Sequence, residues 1–175
     1  MLKSILKKLA RFKKYLPLIA GAATIIIIAA NFFSVESFLT LQSTDKGNVF
    51  VRFPIVDNAE FSIEFIHSVN QAPVRDVFIV SEGEILPIAT YFYAFGAGMQ
   101  TELEAEQSLN YHQDGSMSIT GFTQRFAQLN YIVGTVSDHI LTIGGERVSL
   151  RELCGSNAAV TFKIEERLKL EFRKQ

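Results

Sequence analysis

The C-terminal segment Val160-Thr-Phe-Lys-Ile-Glu-Glu-Arg-Leu-Lys-Leu-Glu-Phe-Arg173 alternates apolar and polar side chains with a period of two. The apolar positions that share one parity are Val160, Phe162, Ile164, Leu168, Leu170 and Phe172. Because successive side chains of a strand point to opposite faces, this pattern predicts a strand with one face in a core and one in water. Glu166 interrupts the apolar face, which indicates a β-bulge or a strand end near Glu165-Glu166.

The same alternation recurs upstream and predicts a domain built mainly of strands. Val49, Val51 and Phe53 share one face of a strand that ends at Pro54, and Phe61, Ile63 and Phe65 share one face of the next. Three turn sequences predict hairpins, and they are Ser81-Glu82-Gly83, Asp114-Gly115 and Gly144-Gly145. We expect an all-β fold, an antiparallel sandwich or an open barrel, with eight to ten short strands.

Helical signals in this domain are few. Ser149 followed by Glu152 resembles a capping box, and Gly155 can close the turn, which predicts a short helix at Leu150–Cys154. Residues 121–131 have no clean period and predict a short helix or a long loop. Cys154 is the single cysteine, so an intrachain disulfide is excluded, and a small buried residue is the simplest role for it.

An apolar run from Leu16 to Phe33 follows a segment that holds six lysines and arginines. About 18 residues in a helix span about 27 Å, close to the hydrocarbon thickness of a bilayer. The basic flank comes first, so the N-terminus is predicted to be cytoplasmic and the chain from Ser34 onward extracytoplasmic. A cleaved signal peptide has the same charge order. The length of the run, and Phe32-Phe33 in place of small residues, favour a retained single-pass anchor.

This order of segments predicts the domain organisation. Residues 1–15 form a basic amphipathic cytoplasmic segment, 16–33 a transmembrane helix, 34–47 a juxtamembrane linker with the first strand, and 48–175 an extracytoplasmic β-domain. The lipid bilayer is therefore a predicted partner. All 18 acidic residues and eleven of the 17 basic ones follow Phe33, so the exported part carries a net charge of −7. A nucleic-acid partner is not expected, since such proteins present a basic face.

The pair His67-Ser68 has the residue types of a catalytic base and a serine nucleophile. Neighbouring side chains in a strand point to opposite faces, and no G-x-S-x-G turn surrounds Ser68, so a hydrolytic dyad is disfavoured. A histidine at the end of a strand, bonded to the backbone, is the simpler interpretation. A membrane-tethered enzyme or metal-site protein that uses His67 is the alternative function, and no catalytic residue is assigned.

Three histidines could in principle bind zinc, but His67, His112 and His139 form no closely spaced pair. No metal site and no cofactor are therefore predicted. A two-histidine ligand site is more credible, because His67 and His139 both lie at strand ends with inward parity.

Two further patterns lie near the middle of the chain. Phe95-Gly96-Ala97-Gly98 lacks the lysine of a phosphate loop, so its glycines indicate a sharp bend or access to main-chain amides. Glu102, Glu104 and Glu106 would form a carboxylate row on a strand, for which a solvated face is the ordinary explanation.

Four sequence elements occur in a recognisable order. They are His67-Ser68-Val69, Pro73-Val74 with Asp76 and Phe78, Phe95-Gly96-Ala97-Gly98, and His139 leading Leu141 into a Gly-Gly turn. Together, from about Phe61 to Ile164, they resemble the family catalogued as domain of unknown function 1850. Met99 and Gln100 stand where that family usually has leucine and proline.

The resemblance implies a small bacterial protein, exported or membrane-anchored, with no established activity. Members of the family are associated with TRAP-type transporters of the TAXI subfamily, which take up carboxylate-like solutes. The resemblance therefore implies an accessory or binding role, with a TRAP transporter subunit or a small carboxylate solute as partner. The ligand-binding candidates are His67, Ser68, Gly96, Gly98 and His139.

Overall fold

A computed structural model of the protein describes residues 15–22, 24, 33–95 and 102–170. Residues 15–22 and 24 are helical, and the remainder contains eleven strands and a short helix at Leu150–Cys154. The strands are β1 (Phe33–Ser43), β2 (Val49–Ile55), β3 (Glu60–Ile66), β4 (Pro73–Ser81), β5 (Glu84–Phe92), β6 (Ser108–Tyr111), β7 (Met117–Thr120), β8 (Gln128–Ile132), β9 (His139–Ile143), β10 (Glu146–Ser149) and β11 (Ala159–Leu170).

The predicted membrane span is only partly covered by these residues. No helix among them is both long enough and apolar enough to cross a bilayer. Most of the predicted basic segment, 1–15, and much of the predicted span, 16–33, lie outside the described residues.

The strands form two sheets that share one core. One sheet has the order β2-β1-β11-β8 and the other the order β10-β9-β3-β4-β5-β7-β6. Leu39 and Leu41 of the first sheet belong to the same buried cluster as Phe61 and Ile63 of the second. The Phe61 and Phe162 rings stack across the sheets with centroids 6.5 Å apart. The all-β prediction is confirmed, and the two sheets pack as a sandwich; eleven strands exceed the expected eight to ten.

Two compact units are distinguished along the chain. Ser37–Glu166 form one unit, which contains the shared core. Met1–Glu36 and Arg167–Gln175 are assigned to the other, in which Lys169 contacts the carboxylate of Glu36.

The three predicted hairpins are confirmed. Glu82 and Gly83 connect β4 to β5 with positive φ angles of 54° and 78°, and Gly144 and Gly145 connect β9 to β10 with 56° and 83°. Two successive positive φ angles are the geometry that matches the twist of the flanking strands. Asp114-Gly115 lies in the turn between β6 and β7.

The last strand follows the predicted pattern for half of its length. Val160 and Phe162 are fully buried, and Ile164 packs against the core. Leu168 and Leu170 were expected on the buried face but are 74% and 55% exposed, so that prediction is wrong. The reason is that β11 continues past Glu165-Glu166 as one strand, and both leucines follow Glu166, the last residue of the unit that contains the core.

Predictions from short sequence patterns are confirmed for some of the remaining elements and wrong for others. The helix Leu150–Cys154 is capped as predicted, since Ser149 Oγ accepts from the Glu152 amide and the Gly155 amide donates to the Arg151 carbonyl. Residues 121–127 form the predicted loop, with an isolated bridge between Phe126 and Ile85, but residues 128–131 belong to β8, a strand that the prediction missed. Glu102, Glu104 and Glu106 lie outside any strand, so the carboxylate row does not form.

Candidate functional site

A cavity of about 380 Å³ lies where β3 ends and β9 begins. His67, Ser68 and His139 all line it, together with Phe65, Gly134 and Ser137. The structure thus brings together three of the five residues singled out from the sequence. Gly96 and Gly98, the other two, lie outside the described residues.

His67 closes the turn that follows β3. Its Nδ1 accepts hydrogen bonds from the amides of Val69 and Asn70, at 3.3 and 3.4 Å. Its own amide donates to the Ala72 carbonyl at 2.8 Å, and its carbonyl accepts from the Gln71 amide. The expectation of a strand-end histidine bonded to the backbone is therefore confirmed.

His139 is the first residue of β9 and is buried, with 9% of its surface exposed. Its ring stacks on Phe65, the residue opposite it on β3, with centroids 4.8 Å apart. Nδ1 accepts from the Gly134 amide at 3.2 Å. Burial lowers the pKa of His139, against the opposing charge of Asp138, so the ring is neutral at pH 7.

The two histidines are held in the same way. In each ring a main-chain amide donates to Nδ1, and an acceptor nitrogen carries no proton. In the neutral ring the proton must then be on Nε2, which becomes a hydrogen-bond donor. Both imidazoles line the cavity, and in each of them the main-chain contact is at Nδ1, which leaves Nε2 for another partner.

Gly134 lines this cavity at a close approach between main-chain segments. A Cβ built at this position would lie 2.2 Å from the Ser137 carbonyl oxygen, so only glycine fits this close approach. The approach keeps the Gly134 amide within reach of His139 Nδ1. No pattern in the sequence indicates this role for Gly134, because the contact depends on the folded path of residues 134–139.

Asp138 fixes the start of β9. Its Oδ1 accepts from the amides of His139 and Arg151, at 2.7 and 3.0 Å, and its Oδ2 accepts from the Ser149 hydroxyl. Burial opposes ionisation, but the Ser149 hydroxyl and these amides together lower the pKa of Asp138. An ionised Asp138 therefore ties His139 to the helix at Leu150–Cys154. No pattern in the sequence indicates this role for Asp138.

The geometry around His67 does not resemble that of a hydrolase. Within the described part of the chain, the His67 ring makes its hydrogen bonds to main-chain amides and not to Ser68. Ser68 is exposed, and its carbonyl accepts from the Gln71 side chain at 2.6 Å. In the same part of the chain, no three His, Cys, Asp or Glu residues are grouped so that they could hold a metal ion.

His112 lines a different cavity, of about 720 Å³, with Arg75 and Tyr91. The Arg75 guanidinium lies 4.7 Å from the centroid of the Tyr91 ring, and His112 Nε2 is 2.9 Å from Ser118 Oγ. His112 therefore lies in a different cavity from His67 and His139. His112 provides a natural control for experiments on the other two.

The segment that contains the histidine cavity is similar in sequence to a family of known proteins. The family model described as "Domain of unknown function (DUF1850)" matches residues 61–150, a span that runs from β3 to the start of the short helix and contains His67, Ser68 and His139. Neither the curated proteins nor the solved structures gave a match. Since the family model covers more than half of the sequence, the chain belongs to the DUF1850 family.

Proposed function

We propose that the protein is a membrane-anchored extracytoplasmic binding module whose cavity at His67 and His139 takes a small carboxylate solute. The observation that carries this proposal is the shared state of the two histidines, each with a main-chain amide on Nδ1 and each lining one cavity. The cavity volume of about 380 Å³ is within the range of small-molecule sites.

The chemistry of the cavity favours a ligand rich in acceptor oxygens. Two imidazole N–H groups and the hydroxyl of Ser68 can each donate to a carboxylate, which offers about four acceptor positions. Hydrogen bonds to a charged acceptor are the stronger kind. The Phe65 ring, stacked on His139, gives the cavity an apolar side against which a short hydrocarbon chain can pack.

The membrane anchor and the accessory role have separate support. The anchor is supported by the basic segment that precedes the apolar run 16–33. The proposed partner, a TRAP-type transporter of the TAXI subfamily, is supported by the family resemblance and by the carboxylate chemistry of the cavity. In this role the module would bind solute, or dock on the transporter, outside the cytoplasmic membrane.

Binding is tested on the full-length protein in detergent, with acetate, glutamate and 2-oxoglutarate as probes in isothermal titration calorimetry. We expect one of them to bind, and His67→Ala and His139→Ala each to weaken it by about tenfold through the loss of a charge-assisted hydrogen bond. His112→Ala is the matched control and should leave the affinity unchanged. Equal weakening by all three substitutions would contradict the assignment of the site.

Topology and partner need a second experiment. A reporter enzyme that is active only outside the cytoplasm, fused after Gln175, should be active, and activity confined to a cytoplasmic reporter would contradict the anchor. Cross-linking in intact cells should then couple the β-domain to transporter subunits, whereas a deletion of residues 1–33 should abolish the coupling.

A further inference from the structure

A cavity of about 420 Å³, separate from the histidine site, is lined by β4, β5, β8 and the segments that hold Glu104 and Gln124. We propose that this cavity binds an organic ammonium ion, a protonated primary or secondary amine. The residues that carry the proposal are Asp76, Glu104, Gln124, Phe122, Phe126 and Tyr131, all of which line the cavity.

The first observation is a partly buried carboxylate that no cation pairs with in the described part of the chain. Asp76 Oδ1 accepts from the Thr90 hydroxyl at 2.9 Å, and Oδ2 accepts from the Tyr131 hydroxyl at 3.1 Å. Among the described residues, no lysine or arginine lies within ion-pair distance of Asp76, and the cavity lining includes neither. A buried charge is costly unless it is paired, and two neutral hydroxyls compensate it only in part.

The second observation is an acceptor oxygen that is left without a donor. Gln124 Nε2 donates to Glu104 Oε2 at 2.6 Å, which fixes which end of the amide carries the oxygen. Gln124 Oε1 is buried and has no hydrogen-bond partner in the described part of the chain. Buried acceptors are nearly always satisfied, and a small rotation of the Gln124 side chain would present this oxygen to a donor in the cavity.

The third observation is the aromatic wall. Phe122, Phe126 and Tyr131 line the same cavity as Asp76. Aromatic rings attract cations to their faces, and their attraction is largest where water is excluded. Two carboxylates, an unpaired amide oxygen and three rings together select a cation that has both N–H donors and an apolar body. A metal ion would gain nothing from the rings.

The wall is held in place by the backbone. Phe126 exchanges both main-chain hydrogen bonds with Ile85 of β5, each at 2.9 Å. Its neighbour Arg125 lies 3.2 Å from the carboxylates of Glu82 and Glu84, at the turn between β4 and β5. The site therefore exists before a ligand arrives, which lowers the cost of binding.

The test uses three probes that differ only at the head group: 2-phenylethylammonium, 2-phenylethanol and trimethyl(2-phenylethyl)ammonium. Binding to the full-length protein in detergent is measured by calorimetry at pH 7. We expect the primary ammonium to bind at least about tenfold more tightly than the alcohol, since only the cation can pair with Asp76. It should also bind more tightly than the trimethyl analogue, which has no N–H for Gln124 Oε1.

Two substitutions separate binding from folding. Asp76→Asn keeps the side-chain volume and should weaken the primary ammonium by about thirtyfold or more, because a charge is lost from a desolvated pair. Phe126→Leu should weaken it by about twofold to thirtyfold through the loss of the ring face. Phe126 is 38% exposed, so this variant is expected to fold. Phe95→Leu is the matched control, since Phe95 is also part-exposed but lies outside the cavity lining.

The outcomes are distinct. The site is supported if the primary ammonium binds tightly, if Asp76→Asn and Phe126→Leu weaken this binding, and if Phe95→Leu leaves it unchanged. Equal binding of ammonium and alcohol, equal binding of the trimethyl analogue, or no binding at millimolar concentration overturns it. Because His67 and His139 are not among its residues, failure here leaves the carboxylate cavity unaffected.

Discussion

The charge state of Asp76 depends on its surroundings in the fold. Its burial raises the pKa of the carboxyl above the ordinary value of 3.8, although the hydroxyls of Thr90 and Tyr131 lower it in part. A carboxyl that binds its proton more tightly when folded favours the folded state below pH 3.8. That advantage is lost as the pH rises through the raised pKa.

We therefore expect Asp76→Asn to change the pH dependence of stability and not merely its level. The free energy of unfolding of the variant, minus that of the wild type, should increase as the pH rises from about 3.8 through the raised pKa. Urea denaturation at a series of pH values measures the difference. Asp57→Asn, at an exposed aspartate, is the control. A difference that is constant across the series would contradict the raised pKa.

Cys154, predicted as a buried residue, is only half-buried, and this partial burial still sets the chemistry of its thiol. Desolvation raises the pKa of its thiol to about 11, so hardly any thiolate exists at neutral pH. We expect iodoacetamide to alkylate folded Cys154 at pH 7.5 at least about tenfold more slowly than the urea-unfolded chain, in which the thiol has its ordinary pKa. Mass spectrometry of timed samples measures both rates, and equal rates would contradict a shielded thiol.

At the scale of elements, Glu165 ties three strands of the smaller sheet together. From β11 it contacts Lys163 on its own strand at 2.9 Å, Arg52 of β2 at 3.0 Å and Thr40 of β1 at 3.1 Å. The Lys163 ammonium, followed by Arg52 and Thr40, lowers the pKa of Glu165 to about 2. A carboxyl with a lowered pKa stabilises the folded state above its unfolded value of 4.5, and this stabilisation is lost as the pH falls towards 2.

Glu165→Gln should therefore destabilise the protein by about 1 kcal/mol at pH 7, a value kept small because the side chains remain in contact with solvent. The deficit should shrink as the pH is lowered from about 4.5 to about 2. Urea denaturation of the variant and the wild type measures it. Glu166→Gln is the control, since Glu166 is the exposed neighbour on the same strand.

These elements also mark how far the sequence predicts the structure. The hairpins at Glu82-Gly83 and Gly144-Gly145 and the capped helix at Leu150–Cys154 were predictable because each depends on a few adjacent residues. The strand β8 was not, since its alternation covers only five residues and its pairing with β11 is distant in sequence. Parity and strand-end position favoured a shared site for His67 and His139, and both line one cavity, but no local pattern indicates the other residues of that cavity.

The same limit applies to the contacts that surround the two cavities. Asp138 reaches Ser149 and Arg151 through the fold of β9 and β10, and Asp76 meets Tyr131 at a separation of 55 residues. Such pairs join side chains that no periodicity relates. A sequence pattern therefore predicts which side chains turn inward, whereas the packing of the two sheets decides which partners they meet.

At the scale of the whole molecule, Tyr131 connects the two sheets and both cavities. It belongs to β8 of the smaller sheet, and its hydroxyl donates to Asp76 on β4 of the larger sheet at 3.1 Å. Its ring makes a T-shaped contact with the His139 ring, with centroids 6.0 Å apart. Burial, and then the charge of Asp76, raises the pKa of Tyr131, so this phenol stays protonated and remains a donor.

Tyr131→Phe keeps the ring and removes only the hydroxyl. We expect a loss of about 1–3 kcal/mol of stability at pH 7, because the buried carboxylate of Asp76 keeps a single donor, Thr90. The loss should become smaller below the raised pKa of Asp76, where the protonated carboxyl needs less compensation. Carboxylate binding at His139 should be unchanged, since the ring contact persists. Tyr111→Phe, at a tyrosine that is 74% exposed, is the control for urea denaturation and calorimetry. If Tyr131→Phe weakened carboxylate binding while leaving stability intact, the hydroxyl would serve the histidine cavity and not Asp76.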